Sequence, residues 1–330
     1  MRDFVLVKLT DEEFDDFSAR HPQGNFQQTS AMGRLRAAQG IDVEYLALKE
    51  GEKIVAAALF ETHRSRFSTF AVIHDGPMCD YHDTEALTFF MDALKRHAKA
   101  KGASQLEITP ESPYRLRDTN GASLPDDQNG APDNKLIERL EAIGFTHGGF
   151  TVGYESVVNR WNFVKGLDGI HNEKELLASF SKYRRKNIRI AQDSGLRVRR
   201  LERGELSTFV KLCDMSAARQ GFKSRDLAYY ERLFDTFGDL IEFKVVETHF
   251  DEYLDTLQSK LNAASKDKRN LERLLQRTQQ QPEGTAKKGA SDPATLEKRI
   301  ATADKKIAAL EKTIGEVNGI IASDGPVIPV

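Results

Sequence analysis

Two apolar stripes near the end of the chain constrain its fold more than any other feature of the sequence. Leu254, Leu257, Leu261, Ala264, Leu271, Leu275 and Thr278 recur at alternating steps of three and four, with Lys268 as the one polar interruption. Leu296, Ile300, Ala303, Ile307, Leu310, Ile314, Val317 and Ile321 do so without a break. Such spacing keeps one face of a helix apolar over many turns. Between the stripes lies QQQPEGTAKKGASDP, rich in residues that stop helices and form turns. Two stripes joined by one loop predict an antiparallel helical hairpin, a coiled-coil arm over residues 250–322. A dimerisation coiled coil fits the same heptads, but the short breaker-rich loop favours self-pairing.

The arm interrupts something else. Ile241 to Glu247 reads as a strand, and DGPVIPV at the end of the chain reads as the start of the strand that returns beside it. The two ends of the arm must then lie close together, and the arm should project. A fold that finishes on half a hairpin leaves backbone donors and acceptors unsatisfied. The expectation is a C-terminally truncated chain that lacks part of its active site and is inactive as it stands.

Ahead of the arm, strand and helix signals alternate. Phe4 to Val7 reads as a strand, Asp11 to Ala19 as a helix with acidic residues in its first turn, and Ser30 to Gln39 as a second helix. Val43 to Leu48 and Ile54 to Phe60, joined by Glu50-Gly51-Glu52, predict a β-hairpin. A strand follows at Phe67 to Ile73, a helix at Thr84 to Lys101, a strand at Gln105 to Ile108, a polar loop from Pro110 to Asp133 and a helix at Lys135 to Ala142. A partial second copy of this plan is predicted from a helix at Leu176 to Ala191, a strand at Leu196 to Val198, and helices at Glu205 to Arg219 and Leu227 to Thr236. The fold class is therefore α/β (α+β).

A chain of 330 residues suits two domains and an accessory element. Its net charge of −2 argues against bulk electrostatic binding to nucleic acid, and no DNA partner is expected. The two cysteines, Cys79 and Cys213, are far apart and fit a reducing compartment. The N-terminus lacks the apolar run of a signal peptide, and no stretch approaches the roughly 20 apolar residues that cross a bilayer. The expected location is cytoplasmic, compatible with peripheral contact at the inner face of the membrane.

No metal site is signalled, because the eight histidines form neither HxxxH nor HExxH. GxSxG, GxGxxG and GxxxxGK[ST] are absent too. Basic residues do cluster: Lys182, Arg184, Arg185, Lys186, Arg189, Arg197, Arg199, Arg200 and Arg203 face only Asp193 and Glu202 in the same stretch. Lys182, Lys186 and Arg189 share one helical face, flanked by Arg185. They form either a phosphate-binding surface or a solvated helix face. Arg225 and Tyr229, four apart, would share a face on a helix. They suit a pyrophosphate and a sugar or peptide, or else an ordinary helix start with a half-buried Tyr.

Several segments together resemble the Fem family of non-ribosomal peptidyltransferases, which includes the FemA, FemX and MurM types. GNFQQTSAMGR (Gly24 to Arg34) is similar to the family's Asn-Phe-x-Gln opening, and HDGPMCD (His74 to Asp80) to its Gly-Pro turn. AIGFTHGG leading to NRWNFV (Asn159 to Val164), FSKYRRKNIRIAQDSGLRV (Phe180 to Val198) and RQGFKSRDLAYYERL (Arg219 to Leu233) follow in order, with the helical insert after Glu247.

The resemblance implies tandem GNAT (acyl-CoA N-acyltransferase)-like domains, the second interrupted by the coiled-coil arm. They would run 1–153, then 154–249 (incomplete), 250–322 for the arm, and 323–330 for the start of the return strand. It implies transfer of an amino acid from aminoacyl-tRNA to the stem-peptide amine of a peptidoglycan precursor, lipid II or UDP-MurNAc-pentapeptide. No cofactor is implied, since aminoacyl-tRNA is the co-substrate. The acetyltransferase pyrophosphate loop is missing, which counts against an acyl-CoA-dependent N-acyltransferase; an RNA-binding or scaffold protein built on the coiled coil is the other alternative. By position, Arg34, Arg225 and Tyr229 would bind the acceptor, and Lys182, Arg185, Lys186 and Arg189 would contact tRNA or acceptor phosphates. Met32 stands where the family often has Trp, and Thr109 where many members have Asp. Glu107 and Glu111 are the nearby carboxylates, and no catalytic residue is assigned.

Overall fold

The structure, a computed structural model, describes residues 2–124, 135–150, 161–280 and 292–329. The expected boundary at 153/154, Asn159 of the fourth motif, the latter part of the polar loop before Lys135 and most of the interhelical loop lie outside the described residues. The chain divides into two compact units, Met1–Val164 with Arg232–Ile241, and Lys165–Glu231 with Glu242–Val330.

The first unit is built on five strands in sequential order: β1 (Phe4–Lys8), β2 (Asp42–Glu50), β3 (Lys53–Arg64), β4 (Thr69–Ile73) and β5 (Leu106–Ile108). Neighbours are antiparallel except β4 and β5, which run parallel. A parallel pair needs a crossover, and α3 (Thr84–Ala100) supplies it. Ahead of β2 come α1 (Asp11–Arg20) and α2 (Ser30–Ala38); α4 (Leu136–Ala142) comes last. The start of α1 is fixed by a capping box: Thr10 Oγ1 accepts from the Glu13 amide, and Glu13 Oε2 accepts from the Thr10 amide.

Helices cover both faces of this sheet, which is why β2 and β3 read as near-continuous apolar runs rather than alternating ones. Leu46, Leu48, Ala58, Phe60 and Ile73 pack with Leu87, Phe90 and Leu94 of α3. The residues between them, Ala47, Ala57 and Leu59, point the other way and pack with Phe14, Met32 and Leu35 of α1 and α2. Phe237, from the segment 232–241, joins this second cluster. Gly33 is required here: a Cβ would sit 2.2 Å from the Tyr45 hydroxyl, whose ring stacks on Phe14 at 4.6 Å.

The second unit contains α5 (Glu173–Ala178), α6 (Lys182–Asp193), β6 (Leu196–Arg200), α7 (Leu206–Gln220) and the first turn of α8 (Leu227–Phe237). β7 (Lys244–His249), α9 (Phe250–Gln279), α10 (Pro293–Asp324) and β8 (Val327–Pro329) complete it. The single helix expected over Leu176 to Ala191 is two helices. Ser181 turns out of helical geometry and its hydroxyl caps the Arg184 amide, because a short polar side chain can replace the missing intrahelical acceptor. Strands β6, β7 and β8 form an antiparallel sheet in that order. Phe209, Tyr230 and Phe243 meet edge-to-face at 5.1 to 6.0 Å, tying α7 and α8 to the approach of β7. Gly195 is forced by its surroundings, with φ +72° and the His249 carbonyl 2.2 Å from where a Cβ would be.

α9 and α10 lie side by side and run in opposite directions. The Phe250 amide at the start of α9 donates to the carbonyl of Pro326 just past α10, at 2.7 Å, and Lys268 pairs with Asp304 at 2.6 Å halfway along. Every apolar stripe position is buried or half-buried, with Leu257, Ala264, Leu271, Leu296 and Val317 most enclosed. Lys268, the polar interruption, occupies its stripe position with its ammonium on Asp304 and, at 3.6 Å, Glu272. No helix among the described residues is long and apolar enough to cross a membrane.

Candidate functional site

Three of the segments singled out in the sequence converge in the first unit. Gln28 is fully buried; its Nε2 donates to the His74 carbonyl at 2.6 Å and its Oε1 accepts from the Leu59 amide at 2.8 Å. Asn25 Nδ2 donates to the Asp75 carbonyl at 2.8 Å, while Asn25 Oδ1 accepts from the Gln27 amide. From the other side, the Asp75 amide donates to Thr109 Oγ1 at 2.7 Å and the Gly76 amide to the Thr109 carbonyl at 2.9 Å. The Asn and Gln of the Asn-Phe-x-Gln segment thus hold the turn before Pro77 against the end of β5. Asp75 takes φ +46°, the left-handed region that a non-glycine residue adopts only when its surroundings over-determine it. This clamp supplies that determination. Thr109, where the resemblance suggested an Asp, uses its hydroxyl on the Asp75 backbone and is a positioning residue.

Two carboxylates lie by this turn. Burial pushes the Asp75 carboxyl up, opposed by the charge of His74; burial also pushes Glu111 up, and the Asp75 charge adds to it. Glu107 lies exposed on β5.

Arg34 is on α2, half exposed, with Nη1 2.8 Å from Asp11 Oδ2 and 2.9 Å from Ser30 Oγ. Met32, two residues earlier, is buried in the core and takes no part in an open surface. On β3 and just past β4, Glu61, His63 and His74 bring one carboxylate and two imidazoles together. Helix-spaced histidine motifs could not reveal this group, because two of its members alternate along a strand and the third comes from the neighbouring strand.

In the second unit, Arg225 and Tyr229 are brought together, but not by helical spacing. Arg225 precedes α8, outside regular secondary structure, and its guanidinium lies over the Tyr229 ring at 5.2 Å. The helix begins only after Asp226, whose Oδ1 accepts from the Tyr229 amide. Arg225 is exposed and Tyr229 half-exposed. Arg34 belongs to the first unit and this pair to the second.

Lys182, Arg185, Lys186 and Arg189 are all exposed on α6. Arg185 folds back onto the carbonyls of Ala178 and Phe180, closing the break between α5 and α6. Lys182, Lys186 and Arg189 have no acidic partner among the described residues. By contrast, Arg199 is held between Glu205 and Glu247, and Arg197 pairs with Glu252. Of the nine cations read in this stretch, Lys182, Lys186 and Arg189, with Arg184, also exposed on α6, are therefore most open to an external anion.

Comparison with known proteins fits this arrangement. Aminoacyltransferase FemA of Staphylococcus epidermidis is 25% identical over 298 residues, covering 89% of this chain and 69% of the relative. Its counterpart in Staphylococcus aureus is 24% identical over the same shares. The crystal structure of FemX superposes with a TM-score of 0.69 at 22% identity, over 99% of this chain and 75% of that one, and so shares the fold. The FemAB family profile matches residues 9–330, and this chain belongs to the FemAB family.

Proposed function

We propose that this chain works as an aminoacyltransferase that moves an amino acid from aminoacyl-tRNA to the stem-peptide amine of a peptidoglycan precursor. The observation that carries the reading is the alignment with FemA aminoacyltransferases across 89% of the chain. In the reaction, the acceptor nitrogen attacks the ester carbonyl carbon. A C–N bond forms, the C–O bond to ribose breaks, the amine loses a proton and the ribose oxygen gains one. Holding two large substrates in register can supply much of the rate without a protein nucleophile.

Arg225 and Tyr229 suit the acceptor: an exposed guanidinium for its phosphates, and a phenol beside it for a sugar or peptide. Arg34, once it leaves Asp11, would by itself suit an acceptor phosphate. The face of Lys182, Lys186 and Arg189 suits tRNA or acceptor phosphate, and Arg185 steadies the start of that helix. In this reading the chain carries two GNAT-like domains, residues 1–153 and 154–249. The paired helices of 250–322 are a coiled-coil arm inserted in the second domain, and residues from 323 start the return strand. No cofactor takes part, and the protein works in the cytoplasm, in peripheral contact with the membrane when its acceptor is lipid II.

The test measures binding of UDP-MurNAc-pentapeptide and of alanyl-, seryl-, glycyl- and threonyl-tRNA to the chain and its variants. Arg225→Ala should weaken acceptor binding at least tenfold and leave tRNA binding within twofold. Lys182→Glu combined with Lys186→Glu should weaken tRNA binding and flatten its salt dependence. Equal loss of both ligands in Arg225→Ala, or no binding of any charged tRNA, refutes the assignment.

A further inference from the structure

Glu61 has a side chain only 1% exposed, on the sheet face that also carries the buried Ala47, Ala57 and Leu59. A carboxylate so enclosed needs partners. Its Oε1 is met by Arg36 Nε of α2 at 3.3 Å, and its Oε2 by His63 Nε2 at 2.8 Å. A second imidazole is also brought to Oε2, with His74 Nε2 at 3.9 Å. This is too long for a hydrogen bond.

The strand geometry explains how the three meet. Residues 61 and 63 share one face of β3 by the two-residue period. In the β3–β4 register Glu61 lies opposite Val72 and His63 opposite Phe70, so His74 falls on the same face, diagonal to Glu61. Each ligand is also held from behind. The His63 ring stacks on Phe70, with centroids 4.9 Å apart and planes 6° apart. The His74 backbone is clamped by Gln28, and Arg36 restrains the carboxylate.

We propose that Glu61, His63 and His74 form a site for a divalent transition cation of the zinc class, bound through Oε2 and the two Nε2 atoms. Two imidazoles and one carboxylate are the donor set such ions prefer over magnesium or calcium. Bonds of about 2.0–2.1 Å at tetrahedral angles place donors about 3.3 Å apart, a value the observed 2.8 and 3.9 Å straddle. The three donor atoms lie within 4.8 Å of one another, so small side-chain shifts suffice. Arg36 lies by the oxygen the ion does not use, as an ion pair at 3.3 Å without a hydrogen bond. His63 and His74 are 26% and 22% exposed, which gives an ion a path in and leaves its remaining positions to water. The proposal is independent of the transferase reading, since its readout is metal uptake alone.

The chain, stripped with a chelator, is titrated with Zn²⁺ by calorimetry, and bound zinc is counted by elemental analysis after desalting. One equivalent should bind in the wild type. His63→Ala and His74→Ala should each weaken binding about 100-fold or more, beyond the roughly 10–100-fold typical of losing an outer partner. Glu61→Gln should do the same, but Glu61 is buried, so the two half-exposed histidines carry the test, with circular dichroism checking each fold. Cys213→Ser removes the less buried thiol and should change nothing. Absence of zinc uptake by the wild type, or unchanged affinity in both histidine variants, overturns the proposal.

Discussion

Replacing Gln28 tests whether the polar Asn-Phe-x-Gln segment is scaffold or surface chemistry. Its amide is fully buried and makes two bonds, to the Leu59 amide of β3 and the His74 carbonyl. Gln28→Met keeps most of the volume and deletes both bonds, leaving a buried N–H and a buried C=O without partners. Each such orphan costs about 1–3 kcal/mol, so the sum is roughly 2–6 kcal/mol. Gln28→Ala adds a cavity and should cost about 1 kcal/mol more. With a urea slope of about 2 kcal/mol/M for a unit of this size, the midpoint of its transition should fall by roughly 1–3 M in Gln28→Met. The Leu59 amide, followed by hydrogen exchange, should lose protection in step. A midpoint within about 0.3 M of wild type would show that water or a shifted neighbour satisfies both groups, and would refute the clamp as the force that holds Asp75 at positive φ.

Leu271→Ala, at a stripe position 6% exposed, should destabilise the helical pair by about 2–4 kcal/mol, while Leu274→Ala, 44% exposed, should cost little; equal melting of the two variants would contradict the pairing described. Burial opposes ionisation of Glu44, but hydrogen bonds from Lys8, Lys101 and His97 outweigh it and hold its carboxyl at about 2. A lowered folded value contributes stability above the ordinary carboxylate range that is lost as pH falls towards 2. Acid titration of unfolding should therefore show Glu44→Gln with a flatter limb between about pH 4.3 and 2, by roughly 1 kcal/mol after solvent screening. Asp11→Asn releases Arg34 from a surface ion pair worth about 0.2–1 kcal/mol, and should tighten UDP-MurNAc-pentapeptide binding by up to about fivefold in direct titration; weaker binding would remove Arg34 from the acceptor site.

Local pattern revealed most of the elements. The hairpin of β2 and β3, the amphipathic α3 and the stripes of α9 and α10 were legible because each is set by its own period and turn residues. The break at Ser181 was not, since only the capping bond shows where a new helix starts. Spacing also misplaced Arg225: four residues from Tyr229 suggested a shared helix face, whereas the contact is a guanidinium reaching over the ring from the preceding chain. The resemblance picked out Asn25 and Gln28, but their work on the Asp75 turn depends on partners about fifty residues away. The same holds for Glu61 with His74 and Arg36, a grouping that exists only once β3, β4 and α2 are assembled.

The way α9 and α10 are joined to the sheet separates two kinds of change. α9 leaves directly from the end of β7, and α10 delivers the chain to β8, its hydrogen-bonded neighbour. To those strands the whole excursion is one tight reversal, closed at its base by the Phe250 to Pro326 bond. Its length is therefore free to vary by matched whole heptads removed from both helices, with register between the strands untouched. A deletion of one helix's turn alone would shear Lys268 off Asp304 and set the stripes out of phase.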